Sequence, residues 1–298
     1  SGPSSRVLRG VGIPDGAQVG VLEVGIVAEE VVQWRVGDEV PAAQHQDLIR
    51  VAPNLVEQVV GQVQGMLPEG LALGEQRLTP PGTHPVVLWF QVMLRAHMSV
   101  PTPLPSMTYL EHIFAIPHTF VTRGRVDRRT PGPYLFMARL YLDDLLATVG
   151  GVLWWGFAKE MAELRLGRRR FSVAQRGDTL ISLRFEPQGE LLPASRFPHF
   201  GAMRQIMRQP LVSQLPLGRG PFFACSDFDR AVEEGRMRPL RTVVEVREPF
   251  VPGLPCARFP AEGTAPGIDA SPLGSYEIRS PWRQGLIYAP RPRSGHRR

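Results

Sequence analysis

The chain has 298 residues, with 34 Lys+Arg against 28 Asp+Glu and a formal net charge of +6. At 43% hydrophobic and 21% charged residues it is globular rather than disordered or fibrous, with material for one large domain or two small ones. No apolar run approaches the ~20 residues of a membrane helix, and two cysteines, Cys225 and Cys256, supply neither a disulfide framework nor a metal set.

The charge reads differently once it is placed. All but one of the cations are arginine, the exception being Lys159, and asparagine occurs once, at Asn54; this skew marks a GC-rich genome. The densest basic runs are Arg168-Arg169-Arg170, residues 123–129 and the tail holding Arg291, Arg293, Arg297 and Arg298. Without those four tail arginines the net charge falls to +2. No finger, homeodomain, RNP or basic-zipper pattern accompanies the runs, so neither a nucleic acid nor a membrane is an expected partner.

In chain order, residues 1–50 are rich in Gly and Val and include the run Val19–Val27, which predicts an N-terminal extension carrying a strand or two. Asn54 is placed to cap a helix, with Glu57 three residues on and Val56, Val59, Val60 and Val63 at helical spacing. Strands are predicted at 86–93, 134–142, 171–173, 179–185, 211–215, 242–246 and 276–278, punctuated by Pro and Gly. A helix is predicted from Phe157 to Leu164, where Glu160 and Glu163 fall on one side and Met161 and Leu164 on another. Residues 252–275 read as a long loop. Strand follows strand, so the fold class is α+β, mostly antiparallel β, barrel-like, with a few helices. The main domain spans 51–285, and 286–298 form a basic tail with a disordered composition.

Lys159 follows Trp154, Trp155 and Phe157. Apolar walls penalise an ammonium and favour the neutral amine, a nucleophile able to form a Schiff base with a carbonyl. The alternative is a surface lysine whose stem lies over apolar side chains. The seven histidines show no zinc-ligand spacing, and no Gly-x-Ser-x-Gly, dinucleotide or phosphate-loop pattern is present. No metal or other cofactor is implied.

The segment Tyr141-Leu-Asp-Asp, then Gly151 and, eight residues on, Lys159, resembles the acetoacetate decarboxylase superfamily. Further blocks fall in the family's order: Leu67-Pro-Glu-Gly-Leu71, Tyr109-Leu-Glu111, Ala115-Ile-Pro117 and Arg208 to Pro216. The resemblance covers roughly residues 60 to 285. It implies a barrel or β-cone of that family's type and assigns Lys159 as the Schiff-base nucleophile and Glu111 as its acid/base or orienting carboxylate. Gln91 stands where the family has a second active-site glutamate, Glu160 where typical decarboxylases have a second lysine, Ala158 in place of a proline and Val152-Leu153 in place of an arginine-glutamate pair.

These departures favour a lyase acting on a keto acid by aldol condensation, dehydration or cyclisation over simple decarboxylation of acetoacetate. A third reading, from another class, is a non-catalytic barrel binding a small apolar carbonyl compound. Residues expected at the pocket are Gln91, Tyr109, His118, Trp155, Phe157, Arg125 and Glu277. Arg123, Arg125 and Arg139 are candidates for binding a substrate carboxylate, for which a bidentate guanidinium is suited. A role in secondary metabolism, a cytoplasmic location with both thiols buried and free, and a homo-oligomer complete the expectations.

Overall fold

The computed structural model describes residues 24–26, 50–52, 56–96, 107–122, 132–197, 200–215, 222–226, 228–230, 235–247, 256–266, 274–280 and 282–284. The first strands are β1 (Val24–Ile26), β2 (Arg50–Ala52), β3 (Val56–Val59), β4 (Leu71–Leu73), β5 (Thr83–Ala96), β6 (Met107–Val121) and β7 (Tyr134–Leu142). There follow β8 (Lys159–Met161), β9 (Glu163–Gly167), β10 (Arg170–Gln175), β11 (Asp178–Pro187), β12 (Leu192–Pro193) and β13 (Leu211–Leu215). The last are β14 (Phe222–Ser226), β15 (Phe228–Arg230), β16 (Arg236–Val246), β17 (Ala257–Glu262), β18 (Tyr276–Arg279) and β19 (Trp282–Gln284). Helices are α1 (Val60–Gly65), α2 (Leu145–Trp155) and α3 (Phe200–Met207).

Among the described residues sixteen strands share one sheet, whose main path runs β14-β13-β7-β6-β5-β2-β18-β16-β11-β10-β9; β1, β19 and β15 form a second, small sheet. Pairing is antiparallel except where β7 meets β13 and β8. Those two strands divide one edge of β7 between them. β13 lies beside Leu135 and Phe136, while β8 lies beside Leu140, Tyr141 and Leu142.

Both faces of the central strands are covered. Along β5, Val86, Leu88 and Phe90 enter one apolar core, while Val87, Trp89 and Met93 enter the other. A strand buried on two faces reads as a continuous apolar run, which is why this stretch is recognisable from sequence. Gln91 interrupts the second set, at a position where burial demands a partner.

Several expectations are corrected. Val56–Val59 form β3, pairing with residues 83–86 of β5, and the helix begins only at Val60; Asn54 itself lies outside the described residues. Two of those valines, being β-branched, are better placed on a pleated sheet than in a helical turn. The segment from Phe157 to Leu164 is not helical, because it holds β8 and the start of β9; the helix lies immediately upstream, in α2. The 252–275 stretch contains β17, an edge strand against β16 with alternating exposure and a proline, Pro260, tolerated at an edge. Cys225 is buried but Cys256 is exposed, and both are free. Most of residues 1–50 and all of 286–298 lie outside the described set, although β1 falls inside the expected N-terminal strand run.

Candidate active site

Three strands bring three polar side chains to one face of the sheet. Gln91 of β5 lies directly opposite Glu111 of β6, and Glu111 lies opposite Leu142 of β7. β8 runs parallel to β7 with Lys159 beside Leu140. Successive side chains on a strand alternate faces. Lys159 therefore shares Leu140's face, and Glu160 turns to the other.

The local sequence explains how the lysine reaches that place. Asp143 Oδ1 accepts the Leu110 N–H at 2.8 Å, tying the end of β7 to β6. Asp144 caps α2, its Oδ1 accepting the Ala147 N–H at 2.8 Å. At the far end Gly156 adopts φ 63°, the left-handed conformation that glycine takes without strain, and its N–H bonds to the Val152 carbonyl at 3.1 Å. Phe157 then buries its ring in the core, and the Ala158 carbonyl accepts the Leu140 N–H at 3.3 Å. The chain is thus delivered onto the free half of β7's edge, and Lys159 is the first residue of the new strand.

Its side chain doubles back over α2. A Cβ on Gly151 would lie 2.2 Å from Lys159 Cδ and Cε and 2.6 Å from Nζ. The glycine eight residues before the lysine is thus the gap through which the stem passes. Nζ donates to the Ala147 carbonyl at 3.4 Å and stands 3.5 Å from Glu111 Oε1. The two side chains are only 9% and 6% exposed. Gln91 Nε2 donates to Glu111 Oε2. Both carboxylate oxygens are engaged, one by a neutral amide and one by the amine.

Tyr109, two residues before Glu111 on the same face of β6, and Phe157 belong to the same buried core as this trio's surroundings. The other expected residues are placed elsewhere. Glu160 pairs with Arg139 at 2.9 Å on the opposite face, which takes Arg139 away from the lysine. Glu277 is fully buried between Arg238, at 2.6 Å, and Arg279, at 2.8 Å. Its neighbours Tyr276 and Ile278 enter the core on the lysine's side, so Glu277 faces away.

His118 lies seven residues beyond Glu111 on β6, roughly 20 Å along a strand. There its backbone takes φ 53° and its N–H donates to Gln209 Oε1 at 2.8 Å. Burial, with a smaller contribution from His84, pushes its pKa down to about 4. His112 faces away from Glu111, as adjacent strand residues must, and packs on Phe90 with ring centroids 4.3 Å apart. Burial outweighs its contact with the Trp89 backbone and lowers its pKa to about 3. The Trp155 side chain, Arg123 and Arg125 lie outside the described residues.

One contributor escaped the sequence reading: the Ala147 carbonyl, a backbone group that no motif reports and that accepts from Lys159 Nζ. Strand register also sets the β2 position Arg50 directly opposite Gln91.

Fold and site together define a mostly antiparallel β protein with a buried lysine–carboxylate–amide constellation beneath a short helix. No protein-family model and no curated protein matches the chain. Among solved structures it is similar to the enduracididine biosynthesis enzyme MppR complexed with pyruvate, at 11% identity and TM-score 0.47, covering 92% of this chain and 93% of that one. It is similar to the same enzyme complexed with the condensation product of pyruvate and imidazole 4-carboxaldehyde, at 12% identity and TM-score 0.45, covering 82% and 86%. It is likewise similar to acetoacetate decarboxylase from Legionella pneumophila subsp. pneumophila str. Philadelphia 1, at 14% identity and TM-score 0.45, covering 84% and 91%.

Proposed function

We propose that the chain is a Schiff-base lyase that joins or rearranges keto acids through an imine on Lys159. The observation that carries the reading is the buried amine set 3.5 Å from a buried carboxylate. A nucleophilic amine needs a neighbour that takes and returns protons at short range, and Glu111 stands at that range. The resemblance of the Gly151–Lys159 and Tyr109–Glu111 blocks to the acetoacetate decarboxylase superfamily supports the same assignment.

In the reaction, unprotonated Nζ adds to the ketone carbon, and a proton passes from nitrogen to the former carbonyl oxygen. That oxygen takes a second proton, relayed by Glu111, and leaves as water, and the protonated imine remains. Loss of a proton from the adjacent carbon, to Glu111, gives an enamine. Attack of the enamine carbon on an aldehyde forms the new C–C bond, and the resulting alkoxide takes a proton. Loss of water across the new bond and hydrolysis of the imine return the free amine.

Incubation with pyruvate, reduction with borohydride and peptide mapping test the reading. The expected result is a lactyl-sized mass increase on the Lys159 peptide. Lys159 is the chain's one lysine, so the N-terminus is the only other amine able to react. Absence of an adduct with pyruvate and other keto acids would overturn the assignment. Deuterium exchange at the pyruvate methyl, set against carbon dioxide release from acetoacetate, separates the aldol route from decarboxylation.

A further inference from the structure

We infer that Gln91 determines substrate specificity, making the Lys159 site selective for ketones that carry a carboxylate directly on the carbonyl carbon and keep it. The inference rests on the imine reading above and adds the substrate class to it. Gln91 is buried and gives its amide hydrogen to Glu111 Oε2, while Oε1 of the same carboxylate faces the lysine. Among the described residues around this pair, β6 presents Glu111, β8 presents Lys159 and β7 presents Leu140 and Leu142. α2 carries no charged residue and offers the Ala147 carbonyl. The β2 position opposite Gln91 is Arg50.

Charge accounting then separates the substrate classes. A protonated imine places one positive charge opposite Glu111, so that pair is balanced. A 2-oxo acid adds one further negative charge, on the atom bonded to the imine carbon. A second protein carboxylate at position 91 would repel that charge strongly in a poorly hydrated site. It would also share a proton with Glu111, as contacting carboxyls do. The Gln91 amide does none of these things. Repulsion of the substrate carboxylate assists a reaction that expels it as carbon dioxide, and hinders one that retains it while a C–C bond forms. An amide beside Glu111 suits retention.

The test compares rates of borohydride-trapped adduct at Lys159 for pyruvate and for acetone, in the wild type, Q91E, Q91D and Q91M. In Q91E the pyruvate-to-acetone ratio is expected to fall at least tenfold. In Q91M, which loses the hydrogen bond without gaining charge, both rates fall and the ratio stays within threefold of wild type. Q91D places the same charge one methylene further from Glu111 and serves if Q91E does not fold. A ratio within threefold of wild type in the folded acidic variant, or an equal shift in Q91M, overturns the inference while leaving the imine reading intact. A wild type that traps neither carbonyl overturns both.

Discussion

Gly151→Ala is the sharpest test of how the lysine is held. In an exposed helix the exchange stabilises by about 1 kcal/mol, because glycine is the poorer helix former. Here the added methyl would sit 2.2 Å from Lys159 Cδ and Cε. Ordinary carbon–carbon contact lies at about 3.5–4 Å, so the stem must retreat by more than about 1.3 Å or the helix must shift. The obstructing atoms are the far end of a flexible side chain, so the stem gives way first. Overpacking of this kind costs about 1–3 kcal/mol, which the helix gain partly offsets, and the melting temperature moves by only a few degrees. Function responds differently. The amine leaves the 3.5 Å position beside Glu111 and the 3.4 Å bond to Ala147, and a displacement near 1 Å in a reacting group costs on the order of 100-fold in rate. The assay pairs a thermal melt with the rate of pyruvate trapping at Lys159. A G151A protein trapping within threefold of wild type would refute the claim that this glycine exists to pass the lysine stem.

Lys159→Arg is expected to abolish trapping and turnover with the fold retained, since a guanidinium stays protonated and cannot form the imine; measurable adduct or activity would contradict the mechanism. His112 provides a pH test of stability. Its folded pKa is about 3 against 6.5 for the free group. The unfolded chain therefore binds the extra proton between those values, and the stability present above pH 6.5 is lost as pH falls. At pH 5 this amounts to about 2 kcal/mol. His112→Leu should shrink the difference in unfolding free energy between pH 7 and pH 5 by about that amount, measured by urea denaturation; an unchanged difference would count against the burial argument. Glu277→Gln leaves Arg238 and Arg279 facing a neutral group. It is expected to lower stability by on the order of 3 kcal/mol, seen as a drop of several degrees in melting temperature, with pyruvate trapping at Lys159 within threefold of wild type. A tenfold loss of trapping would return Glu277 to the site.

The parts of the fold legible in the sequence are those whose burial is two-sided. β7 and β13 match their predicted limits, Tyr134–Leu142 and Leu211–Leu215, because each is a largely apolar stretch bounded by turn formers, Gly132-Pro133 and Asp143-Asp144 for the first and Pro210 and Pro216 for the second. β6 was marked by its Tyr109–Glu111 block but not delimited as a strand, since Glu111, His112, Pro117 and His118 interrupt its apolar pattern. α2 was missed for the opposite reason. Its sequence, Leu-Leu-Ala-Thr-Val-Gly-Gly-Val-Leu-Trp-Trp, is rich in glycine, β-branched and aromatic residues that form helices poorly. The Asp144 cap and packing on β7 and β8 override that preference. Lys159, Glu111 and Gln91 were each legible as chemistry. Their meeting was not, because it depends on the register of β5 on β6 and on the parallel seating of β8.

The misassigned helix at 157–164 bears most directly on function. Glu160 and Glu163, with Met161 and Leu164, fit a helical period as well as they fit two short strands separated by Ala162. In a helix beginning at Phe157, Lys159 and Glu160 would point about 100° apart, and both could line one cavity. On β8 they point to opposite faces, so Glu160 goes to Arg139 and the lysine alone enters the buried face. That partition matters chemically. A second carboxylate beside Nζ would repel an anionic substrate. The strand assignment leaves Glu111 as the one described carboxylate in contact with the lysine, and leaves Gln91, through its bond to that carboxylate, as the position at which a single substitution adds a second negative charge.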